Sequence, residues 1–150
     1  MATQKAGSRG GKKSKVVKKK KPPKQPIELA TTDWVGNTVV LYEESWLHIQ
    51  TEHGITDLSG VQNAIHSPMR VRECTVNYCS TAYAHETVIP SSKEHLRVIV
   101  HYPENENVIA GKSIGSVKTA YPVDYTSPSR VGAVIYEDAN STLPPPDKSK

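Results

Sequence analysis

Ten of the first 24 residues are Lys or Arg, none is acidic and few are apolar, so any folded domain must be built from the rest of the chain. Such a stretch cannot offset its ordering entropy by burying surface, and Met1 to about Pro26 reads as a disordered basic arm. The chain after it has the opposite sign: from Glu28 to Asp138, seven Lys/Arg stand against fourteen Asp/Glu. The arm thus carries +10 and the domain 7 − 14 = −7, a split that the total of +4 conceals. From Ala139 to Lys150 three consecutive prolines lie among polar residues, which reads as a second loose tail.

Residues 27–138 leave roughly 110 positions, enough for one hydrophobic core and too few for two. Phe is absent, so Tyr, Trp, Ile, Val and Leu must fill that core. No apolar run approaches a membrane span, and the N-terminus lacks the apolar segment of a secretory signal. The expectation is a soluble cytoplasmic protein with no membrane partner, nuclear if the source is eukaryotic and virion-associated if it is a phage. Two cysteines, Cys74 and Cys79, are too few for a disulfide scaffold, and the reduced state is expected.

The lysine block comprises Lys12, Lys13, Lys15, Lys18, Lys19, Lys20 and Lys21, with Pro22-Pro23 keeping its end extended. Its functional reading is salt-sensitive contact with nucleic acid phosphates, RNA being favoured. Its plain reading is a solubilising tail. In either case the block cannot read a sequence, because phosphate contacts position a protein without specifying bases.

In the domain, Gly36 to Tyr42 reads as a short strand and Glu43 to His53 as a helix. Glu43 and Glu44 suit the positive end of the helix dipole, and Gly54 stands where a left-handed C-cap belongs. Trp46, Ile49 and His53 share one stripe of that helix. A second helix is expected from Asp57 to His66, capped by Thr56, with Leu58, Val61 and Ile65 at helical spacing and Pro68 as the stop. Arg70 to Val76, about Tyr83 to Ile89, His95 to Tyr102, Val108 to Gly111, Ile114 to Tyr121 and Val131 to Tyr136 read as strands. In the clearest of them Leu96, Val98, Val100 and Tyr102 point one way, and Arg97, Ile99 and His101 the other. Two helices followed by an antiparallel meander make an α+β domain with the helices on one sheet face and the other open to solvent or ligand.

Two blocks carry a family likeness: Trp46-Leu47-His48-Ile49 with His53 and Ile65-His66-Ser67-Pro68, and Leu96-Arg97-Val98-Ile99-Val100 with Val117-Lys118-Thr119-Ala120-Tyr121-Pro122. Together they resemble the phage and mobile-element nucleases of the barnase–EndoU–colicin E5/D–RelE superfamily, over roughly residues 38–122. The resemblance implies N-terminal helices packed on a small antiparallel sheet (a barnase/RelE-like fold), and toxin-type RNA cleavage without a metal. It places His48, His53, Thr119 and Tyr121 near the active site. The chain departs from the pattern in its long Cys74 to Glu94 segment and in the Val131 to Glu137 addition.

Metal-free RNA cleavage needs a base for the 2′-OH, an acid for the leaving 5′-oxygen and donors for the charge on phosphorus. Six histidines, all between His48 and His101, supply proton-transfer candidates, while Arg97 and Lys118 are candidates for the phosphate. His53 reads either as a catalytic group or as a capping or packed histidine. His48 and His53 are turned about 140° apart on an ideal helix, too far to face one site without distortion unless one supports the other. His48 shares its face with Glu44 and Glu52, which also reads as a solvated charge cluster. Arg97 and His101 share the non-apolar face of their strand, either as an RNA-cleaving surface or as a solvated one.

His66, Cys74, Cys79 and His85 are zinc-capable, but C-x4-C and C-x5-H spacings lack a CxxC knuckle, and neither metal nor cofactor is expected. P-loop, dinucleotide-glycine and G-x-S-x-G patterns are absent from the sequence. The leading expectation is a metal-independent endoribonuclease tethered to RNA by its arm, with an inhibitor or assembly protein as a further partner. The alternative is a non-catalytic nucleic-acid-binding, structural or regulatory module on the same fold.

Overall fold

The structure, a computed structural model, describes residues 26–74, 82–102, 108–125 and 132–145. The Lys-rich arm, expected to be disordered, lies outside them. The element order is β1 (Ile27–Thr32), β2 (Thr38–Tyr42), α1 (Glu43–His53), α2 (Leu58–His66), β3 (Arg70–Cys74), β4 (Ala82–Val88), β5 (His95–His101), β6 (Ile114–Pro122) and β7 (Val134–Glu137). These strands form one sheet in the order β1-β2-β6-β5-β4-β3-β7. All neighbours are antiparallel except β2 and β6, which run parallel. The α+β class and the β3–β6 meander are as the sequence led one to expect. The parallel pair, and the edge strand β1 that precedes it, are not visible in the patterning.

β1 turns into β2 through Asp33, whose Oδ1 accepts from the backbone N–H groups of Val35 (3.1 Å) and Asn37 (2.9 Å), while Gly36 takes a left-handed φ of 101°. β2 passes directly into α1. Tyr42, still extended, occupies the N-cap without a side-chain hydrogen bond, and the Glu43 N–H donates to the Pro26 carbonyl instead (3.0 Å). Gly54 closes α1 at φ 70°, its N–H donating to the Gln50 carbonyl. The cap of α2 is Asp57, not Thr56: its carboxylate accepts from the Gly60 N–H at 3.0 Å, and a helix beginning at Leu58 leaves Thr56 outside.

Pairing of β2 with β6 ends at Ser116, and α1 packs along β6 beyond it. Both helices cover one sheet face, where Trp46, Ile49, Val61, Ile65, Val98 and Val100 are among the core residues. Within this core Tyr102 donates to Asp33 Oδ2 (2.8 Å) and its oxygen meets His85 Nε2 (3.1 Å). Asn37 Nδ2 donates to the same Asp33 oxygen at 2.8 Å and to the Val108 carbonyl at 2.9 Å. Residues Val108–Gly111 form a turn rather than the expected strand, with Gly111 at φ 74° and its N–H bonded to the Val108 carbonyl.

Two expectations are corrected by what covers the second sheet face. That face is not open: Arg70, Arg72, Glu86 and Arg97 are all buried on it. Nor is the C-terminal segment loose as far as Pro145. Leu143 is buried and the Pro144 carbonyl accepts from Arg70 Nη2 at 2.5 Å, so this stretch is docked on the sheet. No described helix is long and apolar enough to cross a membrane.

Candidate active site

The second sheet face is built by alternation and register. Glu86 on β4 pairs with Arg97 on β5, and Arg97 with Tyr121 on β6, while Arg70 on β3 pairs with Glu86. Cross-strand partners share a face, so four strands deliver these side chains to one row. Small residues, Ala82 and Ala84, together with Cys74 and Ile99, form a minor apolar cluster beneath Tyr121. Burial pushes the Cys74 thiol above its ordinary range.

Glu86 is the hub. Arg97 Nε donates to its Oε2 at 2.6 Å, the Tyr125 hydroxyl donates to its Oε1 at 2.9 Å, and Arg70 Nη1 lies 3.7 Å from that Oε1. Arg70 is otherwise committed to Glu137 (Nε to Oε1, 2.7 Å; Nη2 to Oε2, 3.2 Å). Arg72 Nε donates to the Gly132 carbonyl at 3.0 Å. These two arginines hold β7 and the C-terminal segment in place. Arg97 is instead tied to Glu86 and lies beside the Tyr121 ring. Its Nη2 is buried with no hydrogen-bond partner among the described residues, as are Arg70 Nη1 and, on the same face, Thr119 Oγ1. Among those residues, three guanidiniums and one carboxylate are buried on this face; Arg70 and Arg97 share Glu86, and Arg70 also pairs with the partly exposed Glu137. Burial alone would lower the Arg97 pKa, but Glu86 and then Tyr121 outweigh it and hold the group charged. Burial, reinforced by Glu86, pushes the Tyr125 phenol up and keeps it a neutral donor.

The histidines reach this row from α1. His53, at the helix C-terminus beside the unpaired half of β6, has its ring 5.8 Å from that of Tyr121, and Arg97 Cζ lies 5.9 Å from the same Tyr121 ring. His48 and His53 are not splayed apart as the ideal helix implies. Their rings meet edge to face at 5.4 Å, because long side chains bend along the helix surface and side-chain torsions absorb the angular difference. His48 is exposed and His53 half-buried, which makes His48 an outer neighbour of His53.

Of the residues read from sequence, His48, His53, Arg97 and Tyr121 are linked ring to ring and ring to cation, and Thr119 shares their face. Arg97 is buried rather than solvated. His101 faces the same way four strand positions on, about 13 Å along β5, and stands outside the cluster. Lys118 is exposed in a groove with Tyr42, Glu44 and Ser45 at the opposite end of α1. The block from Lys12 to Lys21 lies outside the described residues. The zinc-capable residues are divided: His85 faces the helices, Cys74 the other side, His66 is bonded to Thr32 at the β1 end, and Cys79 is outside the described residues.

Glu86, Arg70 and Tyr125 are the residues of this cluster that sequence patterning does not nominate. Their signal lies in strand parity: Arg70, Arg72, Glu86 and Arg97 each occupy positions alternating with buried residues of the opposite face. Reading that signal requires the cross-strand register. Comparison of the chain with protein-family models, with curated proteins and with solved structures finds no match.

Proposed function

We propose that this chain is a metal-independent, toxin-type endoribonuclease with a barnase/RelE-like domain, held on RNA by its basic arm. The observation that carries the proposal is the meeting of His53, Tyr121 and Arg97 on one sheet face, with Arg97 bearing a buried donor that no described protein group uses. A buried unpaired guanidinium N–H is costly unless a ligand acceptor satisfies it, and a phosphate oxygen suits its geometry. In this reading Arg97, fixed by Glu86, stabilises charge on phosphorus, and Tyr121 orients the sugar or phosphate across its ring. His53 transfers a proton to or from the reacting oxygens. His48 supports His53 from the solvent side.

The 2′-oxygen loses its proton and attacks phosphorus, the P–O5′ bond breaks, and the 5′-oxygen takes a proton. The products are a 2′,3′-cyclic phosphate and a 5′-hydroxyl. A domain of net charge −7 holds RNA poorly by itself, whereas ten tethered positive charges raise the local substrate concentration.

The test is cleavage of labelled RNA in EDTA by the full chain. Cyclic-phosphate ends and a loss of about 10²- to 10⁴-fold in His53→Ala, at a half-buried position, are expected. Intact RNA after prolonged incubation with folded wild-type chain would overturn the proposal. The acidity of the domain favours one second reading, a non-catalytic module whose affinity resides in the arm. That reading requires binding without cleavage, lost on removal of residues 1–26.

A further inference from the structure

A second imidazole borders the same cluster. We infer that His95 is a further catalytic residue, the proton-transfer partner of His53 across the Arg97–Tyr121 pair; the inference rests on the ribonuclease reading above. His95 opens β5 two positions before Arg97, so strand alternation puts both side chains on one face. Its ring meets the Tyr125 ring edge to face at 5.2 Å, and Tyr125 in turn donates to Glu86, the carboxylate that fixes Arg97. The backbone anchors the position, with the Val123 N–H donating to the His95 carbonyl at 2.8 Å. His95 is only half-buried, which leaves ring surface open to a bound molecule.

The placement supplies what one histidine cannot. Displacement at phosphorus is in line, so the attacking 2′-oxygen and the leaving 5′-oxygen stand on opposite sides of the phosphorus. A group taking a proton and a group giving one must therefore approach from two directions. His53 arrives from α1, beyond the unpaired side of β6. His95 arrives along β5, diagonal to Tyr121 at a Cα separation of about 7–8 Å. Arg97 stands two positions along β5 from His95 and across from Tyr121 in register. One imidazole accepts the 2′-OH proton as the other donates to the 5′-oxygen. The pair returns to its starting protonation when the cyclic phosphate is hydrolysed or protons exchange with solvent.

The experiment is the pH–rate profile of the full chain on labelled RNA in EDTA, for wild type, His53→Ala and His95→Ala, each with and without added imidazole. The expected wild-type profile is bell-shaped. His95→Ala is expected to lower the rate by about 100-fold or more, remove one limb of the bell and recover part of the rate with imidazole. A packing role for His95 would lower the rate without removing a limb and without rescue. Either that result or a His95→Ala rate close to wild type, in a wild-type chain that cuts, removes the role of His95 alone. RNA left intact by wild type overturns the ribonuclease reading and this inference with it.

Discussion

Replacing Glu86 with Gln tests the physical centre of the site, because the substitution keeps shape and removes only the charge. The Glu86 side chain has no solvent exposure, and those of Arg70 and Arg97 retain 2% and 6%. Its loss leaves Arg97 without the carboxylate it pairs with among the described residues, while Arg70 keeps Glu137. Breaking a buried pair from one side costs about 3–5 kcal/mol, since the remaining charge stays desolvated. The substituted amide can still accept one hydrogen bond, which places the expected cost near the lower bound of about 3 kcal/mol, a large part of the roughly 5–15 kcal/mol that stabilises a domain. With a urea m-value of about 1–3 kcal/mol/M, the unfolding midpoint should fall by about 1 M or more. Adding Arg97→Met to Glu86→Gln should recover much of the loss, because the second change removes the stranded charge. A single-variant cost below about 1 kcal/mol, or a double variant as unstable as the sum of its parts, would refute the coupled-pair account.

His85 supplies a pH signature: burial, partly opposed by the Asp33 carboxylate, lowers its pKa from 6.5 to about 4. The unfolded chain therefore binds a proton that the folded chain refuses between those values, and stability falls as pH drops from 6.5 towards 4, by about 3 kcal/mol in all. Urea unfolding of His85→Gln across this window should show a flatter dependence than wild type, and an unchanged slope would exclude His85 as the source. Gly115→Ala should cost about 1–3 kcal/mol, because the new methyl would stand 2.8 Å from both Val100 Cγ1 and Tyr102 Cε2 in the closed core. Thermal unfolding reads that loss directly, and an unshifted midpoint would show that the core yields there.

Much of the frame is visible in the chain because local signals agree with one another. Glu43–His53 emerges with its acidic start and Gly54 stop, and β5 with its alternation, since each states its buried face over several turns or pleats. β1 is not visible: Ile27–Thr32 is an edge strand whose identity depends on pairing with β2. The same limit applies to the site. His53, Tyr121 and Arg97 can be nominated singly, but their meeting depends on α1 lying beside the half of β6 that β2 leaves unpaired. In sequence Glu86 is one more surface acid, because its arginine partner emerges only once β4 and β5 are in register. The ideal helical angle misplaces His48, and flexible side chains override that measure.

The parallel pairing of β2 with β6 also has a kinetic side. Glu86 and Arg97 are eleven positions apart in sequence, a separation that a single hairpin closes. Asn37, which holds the β1–β2 turn against Ser113 and the Val108 carbonyl, spans 76 and 71 positions. Long loops close late, so the meander with its arginine–carboxylate centre is expected to form before the segment bearing His53 docks. Phi-values larger at Val98 than at Val39 would report that order, and the reverse would contradict it. A newly made chain would then complete its buried arginine–carboxylate row before the segment bearing His53 joins it.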